Sequence, residues 1–141
     1  MSSNDSVARW ERQWGHLIAR IRPNPAATRA RLLLAETNVQ RAKREVAADP
    51  DAALIFAEQA LINAADAVLA RDGYSANSHF VRFGNPQLPS VYSKEGQLID
   101  RIRSARNTAQ YDAGGSVAPQ LAADAIRVAE QALAEVRRLL P

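Results

Sequence analysis

Asp49-Pro50-Asp51-Ala52-Ala53-Leu54-Ile55-Phe56-Ala57-Glu58-Gln59-Ala60-Leu61-Ile62-Asn63-Ala64-Ala65-Asp66-Ala67-Val68-Leu69-Ala70-Arg71-Asp72-Gly73 decides the fold class. An aspartate followed by proline is a helix cap followed by a residue preset for the first turn. Leu54, Ala57, Leu61, Ala64 and Val68 then recur at helical spacing, and Gly73 stops the run. Upstream, Asn24-Pro25 repeats the signal and predicts a helix to about Ala48, burying Leu32, Ala35, Val39, Ala42 and Val46. The break at Pro23-Asn24-Pro25 separates it from a first helix over about Ser6 to Ile21, with Trp10, Trp14, Leu17, Ile18 and Ile21 on one face. Downstream, Tyr74 to Ser90 reads as a long connection with Gly84, Asn85-Pro86 and Pro89, and one short helical turn near Ser78–Arg82. A fourth helix is expected from about Ser90 to Asp112, stopped by Gly114-Gly115. A fifth is expected from about Ala118 to Leu140, burying Leu121, Ala125, Val128, Ala132 and Val136. No window alternates like a half-buried strand. The expectation is an all-α fold: an antiparallel four-helix bundle over 26–141, preceded by an amphipathic helix and proline break over 1–25.

The 141 residues suit one domain, and 47% hydrophobic content supplies a core. Only 6% are aromatic, while alanine is abundant, so helices should approach closely. Zero cysteines exclude a disulfide framework and any thiolate metal site. His16 and His79 are too few for a metal cluster, so neither metal nor cofactor is expected. No unbroken apolar run reaches the roughly 18 residues of a membrane span, and the N-terminus is too charged for a secretory signal. These features predict a cytoplasmic protein without membrane attachment.

The net charge of +3 is unevenly spread. Residues 1–48 carry nine basic and four acidic side chains, residues 49–72 one and five, and residues 73–112 five and three. Lys43 and Lys94 are the only lysines, and arginine is the residue whose planar fork pairs with phosphate. A nucleic-acid surface and plain arginine–alanine enrichment both account for this pattern.

Three segments together resemble the HEPN superfamily of small all-α domains. The first is the alanine-rich helix Ala52–Leu69 before Gly73. The second runs from Gly73 through Ser78-His79 to Arg82-Phe83, and the third is Arg106-Asn107-Thr108-Ala109-Gln110-Tyr111-Asp112. The resemblance covers roughly residues 26–140 and leaves the tryptophan-bearing helix outside. It implies a four-helix bundle, a homodimer with a polar cleft, RNA or nucleotide as ligand, and a nucleotidyltransferase-type antitoxin as possible partner. Many members are metal-independent endoribonucleases of toxin–antitoxin or defence systems, marked by an arginine and a histidine with four to six residues between them. Here Tyr111, Asp112 and Ala113 stand where the histidine would fall, so the ribonuclease motif is degenerate. Glu58-Gln59 also replaces an aromatic pair common in relatives.

Metal-free RNA cleavage needs a base, an acid and charge stabilisation at phosphorus. Arg106 suits the last role. Tyr111 is a poor base, with roughly one in a thousand ionised at neutral pH, but it suits proton donation or base stacking. His79 has the intrinsic pKa for acid–base work. The candidate catalytic residues are therefore Arg106, Tyr111 and His79, with Arg103, Arg106, Asn107, Arg82 and Asn63 as candidate RNA- or nucleotide-binding residues. On a regular helix Tyr111 lies about 140° from Arg106, so the two converge only if the helix end unwinds or a partner chain intervenes. Each also has a structural reading: Arg106 in an ion pair with Asp66 or Asp112, Tyr111 as packing, and His79 as a pin for the long loop. Asn63 equally suits a buried polar contact, and the Trp10/Trp14 face suits packing or dimerisation better than a membrane. The leading expectation is an RNA- or nucleotide-binding HEPN-type protein. An active endoribonuclease toxin and a non-catalytic protein-interaction module are the alternatives.

Overall fold

The computed structural model describes residues 3–111 and 114–140, without the side chains of residues 3, 4, 110 and 111. The fold is mostly helical. In chain order it comprises α1 (Ser3–Trp14), a 3-10 turn (Gly15–Leu17), β1 (Ile18–Arg20), α2 (Pro25–Glu45) and α3 (Pro50–Asp72). Then follow β2 (Tyr74–Ala76), α4 (His79–Phe83), α5 (Val91–Lys94), α6 (Gly96–Tyr111) and α7 (Pro119–Leu139).

The caps fall where the sequence places them. Asn24 Oδ1 accepts from Ala26 N–H at 3.0 Å, and Asp49 Oδ1 accepts from Ala52 N–H at 3.1 Å. Each is followed by a proline whose missing donor costs nothing in the first turn. Gly73 closes α3 at φ 84°, a left-handed conformation in which an added Cβ would stand 3.1 Å from Ile21 O.

α3 is the central element and is buried on nearly every face. Leu54, Leu61 and Val68 are completely enclosed, each contributing about 1.5–3 kcal/mol by leaving water. Around it α2 packs most extensively, then α7, with α6 on a further side. The polar contacts fix the directions. Asp51 Oδ1 accepts from Val117 N–H at 3.0 Å at the start of α3, and Arg71 Nη1 donates to Leu139 O at 3.3 Å at its end, so α3 and α7 run parallel. Lys43 pairs with Glu130 at 3.0 Å and Arg137 pairs with Glu36, which sets α2 against α7. Tyr92 of α5 reaches Leu61 O at 2.8 Å and Arg106 of α6 meets Glu58, which seats both pieces against α3.

Alanine makes the close approach possible, with Ala35, Ala42, Ala57, Ala64, Ala125 and Ala132 all fully buried. α3 is also long and apolar enough to cross a membrane, with a mean hydropathy of 1.4 over 18 residues. Glu58 and Asp66 interrupt that window, and 67% of it is buried against the other helices.

Two expectations are corrected. The first helix ends at Trp14, not near Ile21: Gly15 follows, and Ile18–Arg20 pairs antiparallel with Tyr74–Ala76, Ala19 facing Ser75. This ribbon satisfies backbone groups that the helix-barring Pro23 would have left open. The fourth helix begins as two pieces, because Glu95 (φ −102°, ψ 20°) leaves helical geometry between α5 and α6. The short turn expected near Ser78–Arg82 is α4.

The N-terminal segment docks through Trp10, which is 5% exposed and donates its indole N–H to Val81 O at 3.1 Å. Its ring meets Tyr74 edge-on at 5.5 Å within a cluster containing Leu69, Ala76 and Val81. Tyr74 in turn donates its hydroxyl to Glu11, which also pairs with Arg20 at 2.6 Å.

Candidate functional site: an arginine cluster beside an aromatic cleft

The site grows from two carboxylates on the apolar central helix. Glu58 and Asp66 are eight residues apart on α3, about 80° round its axis, and each meets an arginine from a different element. Glu58 is only 1% exposed, and its Oε1 lies 3.0 Å from Arg106 Nε. The N–H direction misses the oxygen, so the pair is held by charge, and neither Glu58 oxygen accepts a hydrogen bond among the described residues. Burial raises the Glu58 pKa above its ordinary value of 4.5; Arg106 and then Arg103 only partly oppose this.

The expected ion pair of Arg106 with Asp66 is therefore corrected: Asp66 belongs to Arg82, and Arg106 to Glu58. Asp112, the other partner considered for Arg106, lies outside the described residues. The physical reason is depth, since Glu58 sits beneath α6 where Arg106 passes, whereas Asp66 faces α4.

A stability consequence follows from Glu58. The folded chain holds its carboxyl proton to higher pH than the unfolded chain does, so this group costs stability as pH rises above 4.5 and ceases to cost it on acidification below that value. Glu58→Gln keeps the shape and removes the charge, leaving Arg106, 22% exposed, to reach water. The variant is expected to raise Tm at pH 8, because the burial cost of the ionised carboxylate, which Arg106 and Arg103 only partly oppose, is removed. The gain should vanish below pH 4.5. Thermal melts at both pH values check this, and an equal gain at each would assign the effect to packing rather than charge.

Arg82 is fully engaged by the fold. Its Nε donates to Asp66 Oδ1 at 2.6 Å, Nη2 to Ala76 O at 2.9 Å, and Nη1 lies 2.9 Å from His79 Nδ1. Because guanidinium only donates, His79 Nδ1 accepts, and the network assigns the imidazole proton to Nε2. The His79 pKa falls below its ordinary 6.5, first through burial, then through Arg82, Arg103 and Arg106, with Asp66 pulling the other way. His79 is thus neutral at pH 7, inside the field of three arginines.

His79 also begins an aromatic ladder. It stacks on Phe83 (6.0 Å, 15°), which stacks on buried Tyr92 (5.6 Å, 27°). Across from it, Trp14 and Phe80 meet edge-on at 5.1 Å. Between them opens a cleft of about 360 Å³ with Arg103 on its wall.

The candidate residues therefore divide. The charges of Arg82, Arg103 and Arg106 all act on His79; Arg82 is paired with Asp66 and Arg106 with Glu58, while Arg103 shares the cleft wall with Asp100. Asn107 is exposed on α6. Asn63 is 8% exposed on α3, about 140° round the helix from Glu58. α6 continues unbroken through Tyr111, so the backbone does not unwind to turn that residue toward Arg106; the Tyr111 side chain lies outside the described residues.

Sequence reasoning missed Glu58 as the partner of Arg106, although a carboxylate four residues after Leu54 on a buried stripe is a signal for one. It also missed Trp14 and Phe80 as cleft walls, for which no local signal exists. Comparison with family models, with curated proteins and with solved structures gave no match.

Proposed function

We propose that this chain is a HEPN-type four-helix domain that binds RNA or nucleotides and has lost ribonuclease chemistry. The antiparallel seating of α2 against α7, the parallel run of α3 and α7, and the packing of α6 on α3 support the bundle. The observation that carries the function is Arg103 on the wall of an aromatic cleft beside His79, with Arg82 and Arg106 adding their charge to the histidine's surroundings. Arg103 takes phosphate, Arg106 adds charge from its seat on Glu58, and the aromatic walls take a base. Arg82 contributes its field while its donors hold the loop.

The tautomer supports binding without cleavage. A base for the 2′-hydroxyl needs a lone pair, and the one on His79 faces the Arg82 guanidinium. The resemblance adds a homodimer and a nucleotidyltransferase-type antitoxin partner within a toxin–antitoxin or defence system, and the sequence features add a cytoplasmic location.

The test is retention of labelled single-stranded RNA in excess EDTA between 50 and 200 mM salt. The expected result is intact RNA, with affinity falling steeply as salt rises, since each neutralised phosphate of a single strand contributes a slope of about −0.7. Absence of binding at 50 mM salt sinks the reading, and cleaved RNA replaces it with the endoribonuclease alternative.

A further inference from the structure

We propose that the cleft between α1, α4 and α6 is a base-reading subsite selective for guanine, with the Asp100 carboxylate as the reader. This rests on the RNA-binding reading and names what that site recognises. The cleft is walled by Trp14, Phe80 and Phe83, its volume of about 360 Å³ accommodates a nucleotide, and it carries Asp100 and Arg103 one helical turn apart on α6. Phe80 is 64% exposed, a large aromatic surface left in water beside Trp14. Stacking a base there covers it and is tolerant of base identity.

Selectivity has to come from the polar groups. A carboxylate on the wall of a site for an anionic polymer repels phosphate, and Asp100 has no ion pair among the described residues to cancel that charge. The repulsion turns into attraction only if the ligand brings donors. Guanine presents two adjacent donors, N1–H and the N2 amine, which one carboxylate accepts in plane. Adenine and cytosine present an amine beside a bare acceptor nitrogen, and uracil a single N–H between two carbonyls. Opposite Asp100 each of these leaves an acceptor facing a carboxylate oxygen. Arg103, one turn further along α6, then meets the adjoining phosphate.

Trp14 reports on occupancy. The experiment titrates the full chain with hexauridylate, with the same hexamer carrying one guanosine, and with the same hexamer carrying one adenosine, following tryptophan fluorescence. The expected result is quenching by the guanosine hexamer at about tenfold or more lower concentration than by the other two. Trp14→Phe should remove the quenching while a retention assay still shows binding. Asp100→Asn should bring the guanosine hexamer to the level of the adenosine one. Equal binding of all three hexamers overturns the guanine subsite and leaves the arginine reading standing, as does a guanosine preference that survives in Asp100→Asn. No binding of any hexamer overturns both.

Discussion

Trp10→Ala is expected to lower stability by about 3–5 kcal/mol, roughly 10–20 °C in Tm. The indole is almost completely buried, bonds to Val81 O from 71 residues away, and anchors the cluster with Leu69, Ala76 and Val81. Removing it opens a cavity and strands a buried carbonyl, two costs that add. The loss should concentrate in the N-terminal segment, because α1, the 3-10 turn and β1 meet the rest of the chain through this cluster and the ribbon. Hydrogen exchange should show Ile18–Arg20 and Tyr74–Ala76 losing protection before α3 does. A Tm change under about 3 °C would mean that the segment is not held by Trp10. The same variant tests the cleft, because Trp14 lies one turn along α1 and forms its wall. RNA affinity should fall even at temperatures where the rest of the chain stays folded.

Arg103→Ala is expected to weaken single-stranded RNA binding by about tenfold at low salt and to make the salt slope shallower by about 0.7. Among the cluster it is the cleanest position to change. Arg82 holds Asp66, Ala76 and His79, and Arg106 covers buried Glu58, so losing either disturbs the fold. Arg103 enters no ion pair among the described residues and is half-buried on the cleft wall. Its removal should leave Tm within about 2 °C, in the range of ordinary surface substitutions. A second readout separates charge from shape: Arg103 depresses the His79 pKa, so the His79 midpoint followed by NMR should rise in the variant. Unchanged RNA affinity together with a raised midpoint would show that the field is real but that phosphate is bound elsewhere.

Much of the helical framework was legible because its signals are local. Asn24-Pro25 and Asp49-Pro50 carry their own caps, and Gly73 carries its own stop. The stripe through Ala125 and Val136 faces inward because α7 is amphipathic, and Leu54 and Leu61 are enclosed because α3 is apolar on nearly every face. The site was legible in part. His79 and Arg106 stand out by residue type, but pairing is not readable: Asp66 and Asp112 are the partners the sequence offers Arg106, and the depth of Glu58 beneath α6 selects Glu58 instead.

By itself the sequence determined an all-α chain, the starts of α2 and α3, and the residues that fill the core, since propensity, caps and periodicity act within a few turns. Only the tertiary structure decided that Ile18–Arg20 leaves the helix to pair with Tyr74–Ala76, that Glu58 rather than Asp66 holds Arg106, and that Trp14 and Phe80 face His79 across a cleft. The ribbon pairs, Glu58 with Arg106, and Trp14 with Phe80 join residues 48 to 66 positions apart in the chain. Partners at that separation are chosen by packing and by the cost of burying an unpaired charge, neither of which a local stretch of sequence contains.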